Sequence, residues 1–240
     1  MLRAILCLTL CTALSACVLL PQNREVRFQL LALAPPFNEP DMEYSALTWC
    51  GDKLLMVPQF PDRHVPLGRA QFYTLSKAEI LEAIQHSDTT VLTPLPVLLK
   101  EGTMRSIPAK FEGYEAVVCE ETEVWLTIEG VNSDGQHQAW LVRGQRTQIE
   151  EHEGIILDDQ SVVSLPSYSK MHNMSEEALL KIGHNLISLH ELNDARLGTP
   201  SQAYRYSPAD KSLRTIPFSN LPYRITDSTK VDLHKRFWVI

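Results

Sequence analysis

The chain lacks the short motifs that announce the commonest enzyme chemistries. It has no Gly-x-Ser-x-Gly elbow, no His-Glu-x-x-His pair and no phosphate-cradling glycine loop, which removes the usual serine-hydrolase, zincin and nucleotide-binding readings. Basic residues are also scarce, 22 against 29 acidic ones. Nucleic-acid affinity rests on clustered Lys and Arg neutralising phosphates, so no nucleic-acid partner is expected. Past the first residues there is no apolar run near the roughly 20 residues that a membrane span requires.

What is present begins at the amino terminus. Arg3 supplies a positive start, Ala4 to Leu14 form a short apolar core, and Leu14-Ser15-Ala16-Cys17 places small residues ahead of a cysteine. That ending resembles the lipobox of bacterial lipoprotein signal peptides. The resemblance implies that residues 1–16 are removed and that Cys17 becomes an acylated first residue. The remaining 224 residues keep 21 basic residues against 29 acidic ones. Membrane attachment is then expected from lipid alone, each buried methylene contributing about 0.8 kcal/mol. Val18 is not the aspartate that this class associates with inner-membrane retention, so the expected location is the periplasmic side of the outer membrane. With Cys7 and Cys11 in the leader and Cys17 lipidated, Cys50 and Cys119 remain. An oxidising periplasm permits their pairing, whereas their apolar strand-like surroundings favour two separate buried thiols.

The segments starting at Ser45, Glu115 and Glu177 superpose without a gap. Each has a polar residue followed by alanine (Ala46, Ala116, Ala178), an apolar run, and a turn near Gly51, Glu121 or Gly183. An apolar return then ends in Gln59, Glu129 or Glu191, fourteen residues after the start. Two short apolar runs about a polar turn predict a β-hairpin whose two ends meet. A fourth copy starts at Asp227, turns at Leu233-His234-Lys235 and returns through Phe237-Trp238-Val239-Ile240, one residue short of its own partner. We therefore expect a chain truncated in its last visible unit.

Between hairpins, aromatic-centred strands recur (Gln71–Thr74, Ala139–Val142, Ala203–Tyr206), each followed by another extended segment. Four strands per unit predict an all-β fold, an incomplete β-propeller over residues 42–240, preceded by the signal peptide and by a linker over residues 17–41. Val26–Leu30 alternates like a strand and is a candidate to close the ring. Ser76 is expected to cap a helix over Lys77–Gln85 with Glu79 completing a capping box, and Ser175 to open a second, shorter helical stretch. Trp49, Trp125, Trp140 and Trp238 are expected between units as core.

In a propeller the first strand of each unit lines the central channel. Ser45, Glu115, Glu177 and Asp227 are then expected around one mouth, with Gln59, Glu129 and Glu191 just behind. Converging carboxylates repel one another, which raises their pKa values or recruits a cation, and an all-oxygen set suits calcium. The alternative is solvated strand ends, or pairing with Arg143, Arg205 and Arg224. Asn132-Ser133-Asp134-Gly135 is expected to be a tight turn, and the histidines, with no ligand spacing, structural or solvated.

Tyr114-Glu115-Ala116-Val117 followed by Val124-Trp125-Leu126-Thr127-Ile128-Glu129 resembles the blade-start pattern of the phytase-like "esterase-like" propeller family. The senescence-marker/gluconolactonase propellers share its logic of acidic strand ends facing a central metal. The resemblance implies a metal, often calcium, near the channel, held here by Glu115, Glu177, Asp227, Glu129 and Glu191, and hydrolysis of an ester, lactone or phosphoester. The first copy departs from the pattern, with Ser45 and Gln59 in place of acids. Two functions follow: a lipid-anchored binding or scaffold module whose protein or small-molecule partner is unspecified, and a calcium-dependent hydrolase. The first needs no catalytic residue and is the primary expectation.

Overall fold

Apolar alternation builds strands throughout this chain, and turn residues separate them. A computed structural model describes residues 29–86, 89–166, 174–194, 196 and 202–240. The leader, Cys17, most of the expected closing strand and His172 lie outside the described residues. In chain order the first part holds β1 (Ala32–Leu33), β2 (Tyr44–Cys50), β3 (Lys53–Pro58), β4 (Gln71–Ser76), α1 (Lys77–Gln85), β5 (Val91–Leu92) and β6 (Leu95–Lys100). The second holds β7 (Lys110–Cys119), β8 (Glu123–Val131), β9 (His137–Ile149), β10 (His152–Leu157) and β11 (Val163–Leu165). The third holds β12 (Glu176–Ile182), β13 (Asn185–His190), β14 (Gln202–Ser207) and β15 (Ser212–Pro217).

The three repeats are three antiparallel four-stranded meanders: β2-β3-β4-β6, β7-β8-β9-β10 and β12-β13-β14-β15. The first two merge. β6 pairs in parallel with β10, and at the other side β2 lies against β7, where Ser45 Oγ donates to the Tyr114 carbonyl and Tyr114 N–H to the Gln59 carbonyl at 3.0 Å. The result is a nearly closed, barrel-like sheet of eight strands, with β11 added alongside β9. The third meander is a sheet of its own. The fourth copy also forms a hairpin: Ser228 bridges Val239, Ile240 N–H donates to the Asp227 carbonyl, and the chain reverses over Asp232–Arg236.

Packing follows strand alternation. Val124, Leu126 and Ile128 of β8 face a core shared with Leu55, Val57, Phe72 and Val97 of the first meander. Trp125 faces the opposite way, into a core with Leu179, Leu186, Tyr204 and Tyr206 of the third. Covered on both faces, β8 is almost continuously buried, which is why it reads as an unbroken apolar run. The outer face of the third meander packs on Ile225, Phe237 and Val239. That of the first is covered by α1 and by Leu31, Leu33 and Phe37. Each side chain fully buried in these layers stabilises the fold by roughly 1.5–3 kcal/mol.

Three expectations are corrected. Ser175 opens no helix: the residues after it enter β12 directly. Trp125 and Trp140 are core, but Trp49 is 39% exposed and Trp238 79% exposed, because the described residues leave these two side chains partly or largely uncovered. Cys50 and Cys119 are joined as a disulfide with Cα atoms 5.2 Å apart, linking the ends of the neighbouring strands β2 and β7. The two apolar runs that favoured separate thiols are the pair of strands that bring the sulfurs together.

The remaining local signals follow their residues. Ser76 caps α1 with the reciprocal Glu79 bond of a capping box. Asn132 Oδ1 accepts from the N–H groups of Asp134 and Gln136, making a tight turn with Gly135 at positive φ.

Candidate metal centre

The pairing of the two strands slips at an equivalent place in three of the repeat hairpins. In the first three copies the register jumps between Tyr44 and Ala46, between Tyr114 and Ala116, and between Glu176 and Ala178. Ser45, Glu115 and Glu177 are thus the extra residues of three equivalent β-bulges, and a bulge re-aims the side chain it carries. A second slip in β7, between Phe111 and Gly113, does the same for Glu112.

These bulges gather acids at one place. Glu115, Glu129 and Glu177 each offer a carboxylate oxygen, and the three oxygens lie within 4.8 Å of one another. Glu115 and Glu129 are 4% and 1% exposed. Gln59 Nε2 donates to Glu115 Oε1 at 2.8 Å. Asp227 stands beside Glu177, its carboxylate accepting from the Ser228 N–H at 2.6 Å and from the N–H of Leu47 in β2. A separate narrow cavity lies between Thr48 of β2, Val117–Cys119 of β7, Leu179–Lys181 of β12, and Ser228 with Lys230. The end of one hairpin thereby meets the start of the next: Gln59 meets Glu115, and Glu129 meets Glu177.

Glu191 is placed differently. It is fully buried, but its carboxylate takes an ion pair from Arg224, whose Nε donates to Oε1, so it stands outside the three-carboxylate group. Arg143 pairs with Asp158 and Glu123, well away from the cluster.

The electrostatics follow from burial and like charge. Burial, then the charges of Glu177 and Glu129, hold the Glu115 carboxyl well above its ordinary value, against the opposing hydrogen bond from Gln59. Burial and then Glu129 raise Glu177, with Arg224 opposing. Burial, with Glu112 second, lifts Glu129 to about 7. The Ser175 hydroxyl is near enough to offset part of that rise, yet among the described residues neither it nor Glu129 Oε1 completes a hydrogen bond. Burial and then Glu129 push Glu176 to about 8, and among the described residues its Oε1 also has no hydrogen-bond partner. Asp227 rises to about 6 through burial. Unpartnered oxygens on carboxylates this deeply buried cost free energy that a cation would recover.

Three residues of this neighbourhood escaped sequence reasoning. Glu176 precedes Glu177 and by strict alternation belongs on the other face; the bulge breaks that alternation. Glu112 sits at the second bulge of β7. His137 opens β9 opposite Val131 of β8, and its Nδ1 is 2.9 Å from Glu112 Oε2. The β8–β9 register was the signal that places His137 on the Glu129 side. By contrast, His190 is held by backbone: Leu192 N–H donates to its Nδ1 at 3.0 Å, and burial lowers its pKa.

No protein-family model and no curated protein matches this chain. Among the described residues no helix is long and apolar enough to cross a membrane.

Proposed function

We propose that residues 42–240 are propeller units of the kind the phytase-like family exemplifies, whose acidic mouth holds a divalent cation of the calcium class. The protein is a lipid-anchored binding module on the periplasmic side of the outer membrane. The single observation that carries the cation is the convergence of Glu115, Glu129 and Glu177 oxygens within 4.8 Å. All three donors are carboxylate oxygens, the set that suits a hard ion. The propeller arrangement is supported by the three successive meanders and by one cavity lined from β2, β7, β12 and the start of the fourth hairpin. The lipid anchor rests on the Leu14–Cys17 pattern, and the Cys50–Cys119 disulfide supports an oxidising compartment.

An ion held by two hairpins would fix the mouth and present unfilled coordination to an oxygen-bearing ligand. The chain's own contribution is to keep Glu115 aimed by Gln59, to hold Asp227 on the Leu47 and Ser228 N–H groups, and to exclude water from Glu129.

Thermal melting of chelator-treated protein with and without calcium tests this reading. A ligand bound only by the folded state stabilises by about 2.7 kcal/mol at a hundredfold excess over its Kd. The melting midpoint is expected to rise with calcium, and Glu115→Gln or Glu177→Gln is expected to abolish the rise. An unchanged midpoint in wild-type protein overturns the cation; a rise that survives both substitutions places the ion elsewhere.

A further inference from the structure

Beside the all-oxygen group stands a second, chemically different one. Glu112, Glu129 and His137 each offer one ligand atom, all within 4.8 Å of one another. His137 Nδ1 lies 2.9 Å from Glu112 Oε2, with the two side chains 12% and 11% exposed. We propose that these three residues form a separate binding site for a first-row transition ion of the zinc class, with Glu129 shared between it and the oxygen-only group.

The donors argue for this ion. An imidazole nitrogen with two carboxylates suits zinc and its neighbours, whereas calcium takes oxygen ligands alone. Zinc bonds to such atoms measure about 2.0–2.2 Å, so two ligands on one ion stand roughly 3–3.5 Å apart. The Nδ1 and Oε2 atoms of His137 and Glu112 already stand close to that separation. Lys110 Nζ holds the other oxygen of Glu112, Oε1, at 2.6 Å, which leaves Oε2 turned to His137.

An independent observation points the same way. Glu129 is 1% exposed, and among the described residues its Oε1 completes no hydrogen bond. A carboxylate so enclosed is costly unless something positive or hydrogen-bonding meets it. Its contribution to the group comes from β8, that of Glu112 from a bulge in β7, and that of His137 from the first residue of β9. Three adjacent strands of one meander thus build the site, so it does not depend on the third repeat as the Glu115, Glu129, Glu177 group does. Three protein ligands leave a fourth position for water.

The test uses the whole chain, free of any affinity tag and stripped with chelator, titrated with zinc alone and separately with cobalt. Zinc is expected to raise the melting midpoint of the wild type, and cobalt to give the visible absorption of a nitrogen-and-oxygen-ligated ion. His137→Gln and Glu112→Gln are each expected to weaken zinc at least ~10- to 100-fold, taking the loss of an outer-shell partner as the lower bound. Both should keep the calcium response, and Glu115→Gln and Glu177→Gln should keep the zinc response. Zinc binding unchanged in His137→Gln, or absent from the wild type, overturns the proposal. Zinc binding that vanishes in Glu177→Gln also overturns it, because it would assign the ion to the oxygen-only group. If His137→Gln fails to fold, judged by circular dichroism, Glu112→Gln decides alone. A lost calcium response with zinc binding intact would sink the proposed function and leave this site standing.

Discussion

Gln59 and Glu115 meet across the seam between β2-β3 and β7-β8, the amide Nε2 donating to the carboxylate Oε1 at 2.8 Å. Gln59 ends the first hairpin and Glu115 starts the second, so the contact joins two copies of one pattern. In the next junction the equivalent positions are Glu129 and Glu177, two acids instead of an amide and an acid. The amide therefore sets how much negative charge the mouth must neutralise.

Gln59→Glu converts the first junction into a copy of the second. In chelator at pH 8 the substitution should destabilise the fold by about 1–3 kcal/mol, because a hydrogen bond to a buried carboxylate is lost and a like charge is added. At pH 5 most of the loss should disappear as one carboxyl keeps its proton. Denaturant melts at the two pH values check this, and an equal loss at both would remove like-charge repulsion as the cause.

The pH dependence of the unaltered protein follows from the same cluster. Glu129 and Glu176 rise from an ordinary value of 4.5 to about 7 and about 8, and Asp227 from 3.8 to about 6. A folded state that holds protons which the unfolded state has released loses stability as pH climbs. The contribution is complete below about 4 and drains away between there and about pH 8. Each tenfold difference in proton affinity is worth about 1.4 kcal/mol, so a single one of these carboxyls carries roughly a few kcal/mol of the change. Chelator-treated protein should melt at a lower temperature at pH 8 than at pH 5, and calcium should narrow the gap. A midpoint that rises across this interval would contradict the burial assigned to these acids.

Much of this was legible in the sequence, for identifiable reasons. The fourteen-residue spacing from Glu115 to Glu129 encoded a hairpin with meeting ends, and Ser76 with Glu79 encoded the start of α1. The three bulges were not legible: an extra residue at Ser45, Glu115 or Glu177 leaves the apolar pattern of the return strand intact, and only the ladder reveals it. Without the bulges, Glu176 and Glu112 fall on faces from which they cannot join the cluster. The parallel contact of β6 with β10 was hidden for another reason, since an outer strand carries no residue pattern that names its lateral neighbour. Arg224 was expected among the arginines that could pair with the acidic strand ends, but its choice of Glu191, 33 positions away across β14 and β15, is beyond what periodicity predicts.

The disulfide pins the turn ends of the two hairpins, β2-β3 and β7-β8, whose other ends Gln59 and Glu115 join. It closes a loop of 69 residues, for which the chain-entropy relation gives about 4 kcal/mol, with 2–4 kcal/mol typical. Cys50→Ser with Cys119→Ser should lower the denaturant midpoint accordingly, and reduction of the native protein should match it. Cation responses should survive under conditions where the fold persists, because the bulge residues Ser45 and Glu115 stand several residues along β2 and β7 from the bridge. A loss below about 0.5 kcal/mol would mean that β2 and β7 are held together without the bridge.

Gly113 lies between the two bulge residues of β7 and offers the sharpest separation of backbone from side-chain effects. Its φ is +148°, and a Cβ there would stand 2.2 Å from Gln59 Cγ and 2.8 Å from Glu115 Oε1. Gly113→Ala must therefore strain the backbone, at a cost of roughly 1–3 kcal/mol, and also displace the Gln59–Glu115 pair. Gly51→Ala imposes comparable strain at φ +67° with nothing within 4 Å of the new carbon. Both variants should lose stability, but only Gly113→Ala should also weaken the calcium response, measured as the calcium concentration needed for half the rise in melting midpoint. Equal calcium responses in the two variants would show that the mouth tolerates displacement of Glu115, and that the aim given by Gln59 is not what readies the site.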